Sequence, residues 1–144
     1  VMDRLTNLIK PKKIFMGKKD FQQLFLVKNF IEKKYKTKVI GCKTIRDKDK
    51  LALSSRNYLL NKNDLEVARN ISKKIFLVKK EIKKHKNIKK FMIDTKKDMQ
   101  KTFKIKIEYL ELRDEKKLNI SKKVKGSKLF FAYYLKDTRL IDNI

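Results

Sequence analysis

Tryptophan is absent from the 144 residues, proline and cysteine occur once each, and glycine occurs three times. The lone cysteine, Cys42, excludes an internal disulfide and suits a reducing cytoplasm. The lone histidine, His85, lies among lysines near a helix end and is expected to be solvated. No Ser-His-Asp set, nucleophilic cysteine or cluster of metal ligands is legible, so no metal site of the chain's own is expected. The longest apolar runs, such as Leu129–Leu135, are far too short to span a bilayer, and no signal peptide is expected before the fold. A membrane is therefore not an expected partner, and the expected location is cytoplasmic. Low-complexity linkers and internal repeats are also missing.

Acidic residues are scarce too: 16 against 41 basic ones, a net charge of +25. Such a balance raises nucleic acid as a partner. Its distribution argues otherwise, because residues 1–60 carry +11 and residues 61–144 carry +14, with no basic tail or stripe. Only six of the basic residues are arginine, the side chain whose planar fork suits phosphates and guanine edges. Lysine excess with abundant isoleucine and asparagine fits compositional drift and solvation. A nucleic-acid-binding module stays the alternative from another class. It requires aromatics interleaved with lysine on one exposed face, whereas the aromatics here fall mostly on apolar stripes.

Hydrophobic residues make up 41%, enough for a core in a chain with room for one domain or a domain plus part of another. Met2, Leu5 and Leu8–Ile9 predict the last turns of a helix that Pro11 ends. The chain opens on Val1 with helical periodicity and no capping signal, which suggests a beginning cut from something longer. Lys13–Met16 reads as a short strand stopped by Gly17. Phe21, Leu24, Val27 and Ile31 predict a helix from Asp20 to about Lys34, and Lys38–Cys42 a second strand closed off by Gly41. Strand, helix and strand in this order form a βαβ unit of a parallel sheet.

Lys43–Leu60 has no clean period and reads as a loop. Asn61 followed by Asp64 predicts a helix N-cap with an acidic partner. Ala68, Ile71, Ile75, Val78 and Ile82 stripe that helix, and Ile88, Met92, Thr95, Met99 and Phe103 stripe the next. The period then drops to two at Ile105, Ile107 and Tyr109, continuing to Leu112. A strand over Lys128–Leu135 and an extended segment over Thr138–Ile141 follow. The class changes near Lys43–Ile45, which predicts an α/β part over residues 1–44 and an α+β domain over 45–144.

Two stretches carry candidate chemistry. Gly17-Lys18-Lys19-Asp20-Phe21-Gln22-Gln23-Leu24 falls where a strand ends and a helix begins, at the carboxyl edge where open α/β sheets bind ligands. Glycine admits a ligand to the backbone, lysine meets phosphate as a compact charge, and aspartate can accept bonds from ribose hydroxyls. Gln23 shares a helix face with Asp20. Leu51-Ala52-Leu53-Ser54-Ser55-Arg56-Asn57 places two hydroxyls and a guanidinium in a loop that can wrap a polyphosphate. Either stretch alone could be an ordinary turn.

In their order and separation, Met16–Leu24 and Asp49–Asn57 resemble two signatures of the pantothenate synthetases, roughly Phe-Gly-Glu-Lys-Asp-x-Gln-Gln-Leu and Asp-Gly-Leu-Ala-x-Ser-Ser-Arg-Asn. Val1–Pro11 resembles the family's lead-in, and Tyr109–Asp114 and Thr138–Asn143 resemble two further family segments. The resemblance covers essentially the whole chain and corresponds to the family's C-terminal half. It implies the end of a Rossmann-like nucleotide-binding domain followed by a small α+β lid domain. The implied activity is ATP-dependent condensation of pantoate with β-alanine through a pantoyl adenylate, with Mg²⁺ accompanying ATP and a homodimer as the complete enzyme.

By position, the resemblance assigns Gly17, Lys18, Lys19 and Asp20 to ATP, with Lys19 on phosphate and Asp20 on ribose. Gln23 would hold pantoate, and Ile45 would meet adenine through its backbone. Leu53, Ser54, Ser55 and Arg56 would form the phosphate loop; with Lys19, the two serines and Arg56 are the expected catalytic groups. The family's Met-Gly-x-x-His-x-Gly-His segment is not found in this chain, so a fragment, inactive alone, or an inactive remnant is expected. Lys50 and Lys136 stand where the family has glycine, Lys43 where it has proline, and Lys18 where it has glutamate. If Lys50 requires a positive φ, the replacement is strained by roughly 1 kcal/mol.

Overall fold

The computed structural model describes all residues, Val1–Ile144. They form two compact units, Val1–Thr44 and Ile45–Ile144. No helix is long and apolar enough to cross a membrane.

The first unit runs α1 (Met2–Ile9), β1 (Lys13–Gly17), a 3-10 turn (Lys18–Asp20), α2 (Phe21–Lys34) and β2 (Lys38–Cys42). Lys10 ends α1 at φ 49°, its N–H donating to the Thr6 carbonyl, and Pro11 prevents resumption. β1 and β2 are parallel, with Ile14 opposite Val39 and Phe15 opposite Ile40. The α2 stripe supplies Leu24 and Ile31 to a small core closed by Val39, with Ile14, Met16, Phe21, Val27 and Tyr35 packed around it. Polar ties hold the connections: Thr37 Oγ1 donates to the Pro11 carbonyl at 2.7 Å, and Glu32 Oε1 accepts from the Val39 N–H at 2.8 Å. The outer face of β1 is open, leaving Phe15 64% exposed. Gly41 does not close β2, which runs on to Cys42. A Cβ at Gly41 would lie 2.9 Å from Leu24 Cδ2 and 3.0 Å from Lys18 Cε, so glycine here permits close packing of α2 and the Lys18 stem.

The second unit runs α3 (Lys62–Glu81), α4 (Ile88–Phe103), β3 (Lys106–Asp114), β4 (Ser127–Leu135) and β5 (Thr138–Asn143). The strands form an antiparallel meander with β4 in the centre. The α3 stripe Ala68, Ile71, Ile75, Val78 and Ile82 is buried throughout, joined by Met92 and Met99 of α4 and by Leu110, Leu112, Leu129, Phe131 and Tyr133 of the sheet. Asn61 caps α3, its Oδ1 accepting from the Asp64 N–H at 2.8 Å. The Asp64 carboxylate does not complete a reciprocal box; it takes the Lys136 ammonium instead. His85 is exposed and stacks on Phe91 with ring centroids 4.0 Å apart.

One expectation for β3 is corrected. Tyr109 does not continue the buried set of Ile105 and Ile107, because the register shifts between Ile107 and Tyr109. Glu108 is the extra residue of a β-bulge, and beyond it the phase inverts. Leu110 and Leu112 then face the core at 6% and 5% exposure, while Tyr109 is half-buried.

Candidate functional site

In the first unit, β1 delivers Gly17 to the carboxyl edge of the parallel pair, in extended conformation at φ −67° and ψ 134°. A Cβ on Gly17 would meet nothing within 4 Å, so its side of the backbone has room. Lys18, Lys19 and Asp20 occupy the tight 3-10 turn, and Asp20 precedes α2 without bonding to its first turn. Lys19 is half-buried, whereas Lys18, Asp20 and Gln23 are exposed. Both lysines also engage neighbours within the chain. A strand end, a helix start, cationic side chains and a carboxylate not used for capping therefore meet at one junction, an arrangement suited to a nucleotide.

In the second unit, residues 45–53 fold back as a hairpin. The Leu53 N–H donates to the Ile45 carbonyl at 3.0 Å, Arg46 bridges Ala52, and the Asp47 N–H donates to the Leu51 carbonyl at 2.9 Å. The tip is a turn in which the Lys50 N–H returns to the Asp47 carbonyl at 3.1 Å and Lys50 takes φ 72°. This is the three-residue hairpin loop whose last position requires the left-handed conformation. Asp47 fixes the turn from within, its Oδ1 accepting from the Asp49 and Leu51 N–H groups at 2.9 and 3.0 Å. Arg69 of α3 holds Asp47 Oδ2 at 2.9 Å, and Lys73 holds Asp49 at 2.9 Å. The hydrogen bond from Lys73 keeps the Asp49 carboxyl below its ordinary range.

The hairpin leads directly into the Ser54–Arg56 segment. Ser54 caps a 3-10 helix over Ser55–Leu59, its Oγ accepting from the Arg56 N–H at 3.3 Å. Ser55 is exposed, as is Arg56, whose Nη1 donates to the Arg139 carbonyl of β5 at 3.1 Å. Asn57 Nδ2 ties the segment back to the Ala52 carbonyl at 3.1 Å. Leu53 is 53% exposed and Ile45 71%. The structure thus gathers Ile45, Leu53, Ser54, Ser55 and Arg56 on one braced loop of the second unit, and Gly17–Asp20 with Gln23 at one junction of the first.

The family model described as Pantoate-beta-alanine ligase matches residues 1–144. The chain belongs to the pantoate-β-alanine ligase family. A pantothenate synthetase of Sulfurihydrogenibium is 37% identical over all of this chain and 53% of its own length. A pantoate-β-alanine ligase of Lotus japonicus is 31% identical over all of this chain and 47% of its own. Among solved structures, a Thermus thermophilus pantothenate synthetase superimposes with a TM-score of 0.87 at 25% identity, over 99% of this chain and 52% of that one. A Francisella tularensis pantoate-β-alanine ligase, described as complexed with β,γ-ATP and β-alanine, gives 0.70 at 28% identity, over 97% and 46%. The chain spans about half the length of the relatives it matches. The α/β fold class, a Rossmann-like part with a small lid, accords with these neighbours.

Within the ligase family pattern, the two glycine-to-lysine departures both fall at left-handed positions, φ 72° at Lys50 and φ 51° at Lys136. The residues that brace the phosphate-loop candidate carry no signal in the sequence. Arg46 pairs with Asp142 and Asp47 with Arg69. Carboxylates beside the signature loop were visible, but nothing in a linear pattern joins position 46 to position 142.

Proposed function

We propose that this chain forms part of a cytoplasmic ligase that joins pantoate to β-alanine at the expense of ATP. The reading is carried by the family match over residues 1–144 together with the Lys18–Asp20 turn at the carboxyl end of a parallel strand. In the first step the pantoate carboxylate attacks the α-phosphorus of ATP, which enters as its Mg²⁺ complex, and pyrophosphate leaves. In the second the amine of β-alanine attacks the acyl carbon of the pantoyl adenylate and expels AMP. In-line displacement at phosphorus needs charge neutralisation and positioning more than a protein nucleophile.

Lys19 is assigned to phosphate, Asp20 to ribose and Gln23 to pantoate, with Gly17 and Lys18 beside the nucleotide. The Ile45 backbone is assigned to adenine. Its carbonyl already accepts from the Leu53 N–H, which holds the Ile45 backbone in place and leaves its N–H and the second lone pair of the carbonyl for a ligand. Ser54, Ser55 and Arg56 supply hydroxyl and guanidinium donors to the phosphates, with Leu53 lining the loop. The domain limits 1–44 and 45–144 and a homodimeric complete enzyme belong to the same proposal. Because the chain spans about half the length of its relatives, it is expected not to make pantothenate alone.

The test is a chimaera in which residues 1–144 replace the matching half of the Sulfurihydrogenibium relative. Pantoate-dependent pyrophosphate release and β-alanine-dependent AMP and pantothenate formation are expected. Lys19→Ala is expected to slow pyrophosphate release about 10²–10³-fold, as for loss of one preorganised charge. A folded chimaera that binds ATP but releases no pyrophosphate with pantoate would refute the activity. Release within tenfold of the parent in Lys19→Ala would refute the role of that lysine.

A further inference from the structure

We propose that Arg46 is the positioning residue of the Leu51–Arg56 loop: its guanidinium ties the hairpin to β5 and so sets where Ser54, Ser55 and Arg56 present their donors. The proposal rests on the phosphate-loop reading for its functional meaning, although the brace itself is visible in the fold. Arg46 meets the Asp142 carboxylate through two prongs, Nη1 on Oδ2 and Nη2 on Oδ1, the latter at 2.8 Å. Nη2 also donates to the Asn143 carbonyl at 3.2 Å and Nη1 to the Lys50 carbonyl at 3.0 Å. The Phe76 ring of α3 stacks below, 5.1 Å from the guanidinium carbon. The Arg46 and Asp142 side chains are 16% and 6% exposed, so the pair is shielded from water and strongly directional.

Three oxygen-bearing groups and one ring therefore fix a single side chain. One of them is the carbonyl of Lys50, the left-handed residue at the hairpin tip, which Arg46 links to Asp142 and Asn143 of β5. The loop's remaining ties are lighter. Arg56 uses one carbonyl of β5, and Asn57 uses one carbonyl of its own segment. The second brace, Asp47 to Arg69, ties the same tip to α3, whereas Arg46 also bridges Ala52, two residues before Ser54. A lysine at position 46 keeps the charge but offers a point donor, which cannot serve a carboxylate in two-pronged fashion together with two carbonyls. Charge alone should not rescue the brace.

The experiment compares chain 1–144 with Arg46→Lys and Asp142→Asn by amide hydrogen exchange at 150 mM salt. The Leu51 and Leu53 amides, bonded to Asp47 Oδ1 and the Ile45 carbonyl, are expected to exchange about tenfold faster or more in both variants, while Ile71, Ile75 and Phe131 are unchanged. A residue serving general stability would accelerate all five together, and that result, like unchanged protection at Leu51 and Leu53, overturns the proposal. In parallel, tripolyphosphate is titrated and followed at the Ser54, Ser55 and Arg56 amides, which separates the loop from nonspecific attraction to a highly basic chain. Weaker saturation of these amides in Arg46→Lys supports the proposal, and equal saturation overturns its functional part. No response in the parent chain refutes the phosphate-loop reading instead, and the exchange result then stands as the measure of the brace.

Discussion

Replacing Lys50 by glycine is expected to stabilise the second unit, and the structure fixes both sign and size. Lys50 sits at φ 72° with an exposed side chain that has no hydrogen bond or ion pair. Holding a residue with a Cβ in the left-handed region costs roughly 1–2 kcal/mol. Glycine removes that strain but frees the unfolded chain by about 0.5–1 kcal/mol, leaving a net gain of roughly 0.5–1 kcal/mol. The bond from Arg46 to the Lys50 carbonyl is to backbone and survives. Lys136 is the internal comparison, at φ 51° but with its ammonium on the Asp64 carboxylate. Losing an exposed pair costs about 0–1 kcal/mol, so Lys136→Gly is expected to be near neutral. Urea unfolding reads the difference as a shift in midpoint at constant slope. In heat, 1 kcal/mol corresponds to about 4–8 °C for a unit of this size. Lys50→Ala, which retains the Cβ, should not reproduce the gain. A midpoint for Lys50→Gly at or below the parent's, or a larger gain for Lys136→Gly than for Lys50→Gly, would refute the reasoning.

Acid should destabilise the chain through its paired carboxylates. Arg139 holds Glu108, Lys73 holds Asp49, and Tyr35 with Lys34 holds Asp3 below their ordinary values. Their contribution is complete above those ordinary values and is lost as pH falls through the depressed ones, so Tm should be flat near neutrality and fall below about pH 4. Glu108→Gln should lower the neutral Tm slightly and flatten the acid limb; an acid limb parallel to the parent's would show that Glu108 contributes nothing. Gly41→Ala should cost the first unit about 1–3 kcal/mol, because its Cβ would stand 2.9 Å from buried Leu24 Cδ2. Chemical shifts at Leu24 and Lys18 report the displacement, and unchanged shifts with unchanged stability would remove the close-packing role given to Gly41.

The elements that were legible in the sequence are those whose signals are local and mutually consistent. The α3 stripe from Ala68 to Ile82 is buried as its spacing requires, and Asn61 caps where its side chain can reach the third residue on. The parallel pairing of β1 and β2 follows from the helix between them. Illegible features depend on distant partners. The bulge at Glu108 inverts the side-chain phase of β3, and period-two counting cannot register an extra residue when Tyr109 and Leu110 are both apolar enough to qualify for the core. The bulged residue then reaches across the sheet, and the Arg139 fork grips its carboxylate at 2.7 and 3.1 Å. At the candidate site, the motifs announced Ser54, Ser55 and Arg56, while their support came from Asp142, 96 positions from Arg46. Sequence spacing carries no trace of that contact.

The use of arginine in this chain separates solvation from structure. With 41 basic residues and only six arginines, cationic charge by itself says little about any one position. Three of the arginines nevertheless occupy sites that use more than one prong of the fork, and a fourth, Arg69, gives its single hydrogen bond to a loop carboxylate. Arg46 serves Asp142 and two carbonyls, Arg69 serves Asp47, Arg113 serves Glu111 and the Leu118 carbonyl, and Arg139 grips Glu108 with two nitrogens. A lysine in place of Arg46, Arg113 or Arg139 would not reproduce the fixed fork that serves these acceptors together. Arg4, on α1, is simply exposed. Arg56 differs from both kinds: it is exposed, yet anchored by one nitrogen to the Arg139 carbonyl. That single bond orients the fork without saturating it, so its remaining donors can receive an oxyanion beside the Ser54 and Ser55 hydroxyls. Arg56 therefore combines exposure, a fixed direction and spare donors on the serine loop, properties that would suit a guanidinium meeting a phosphate.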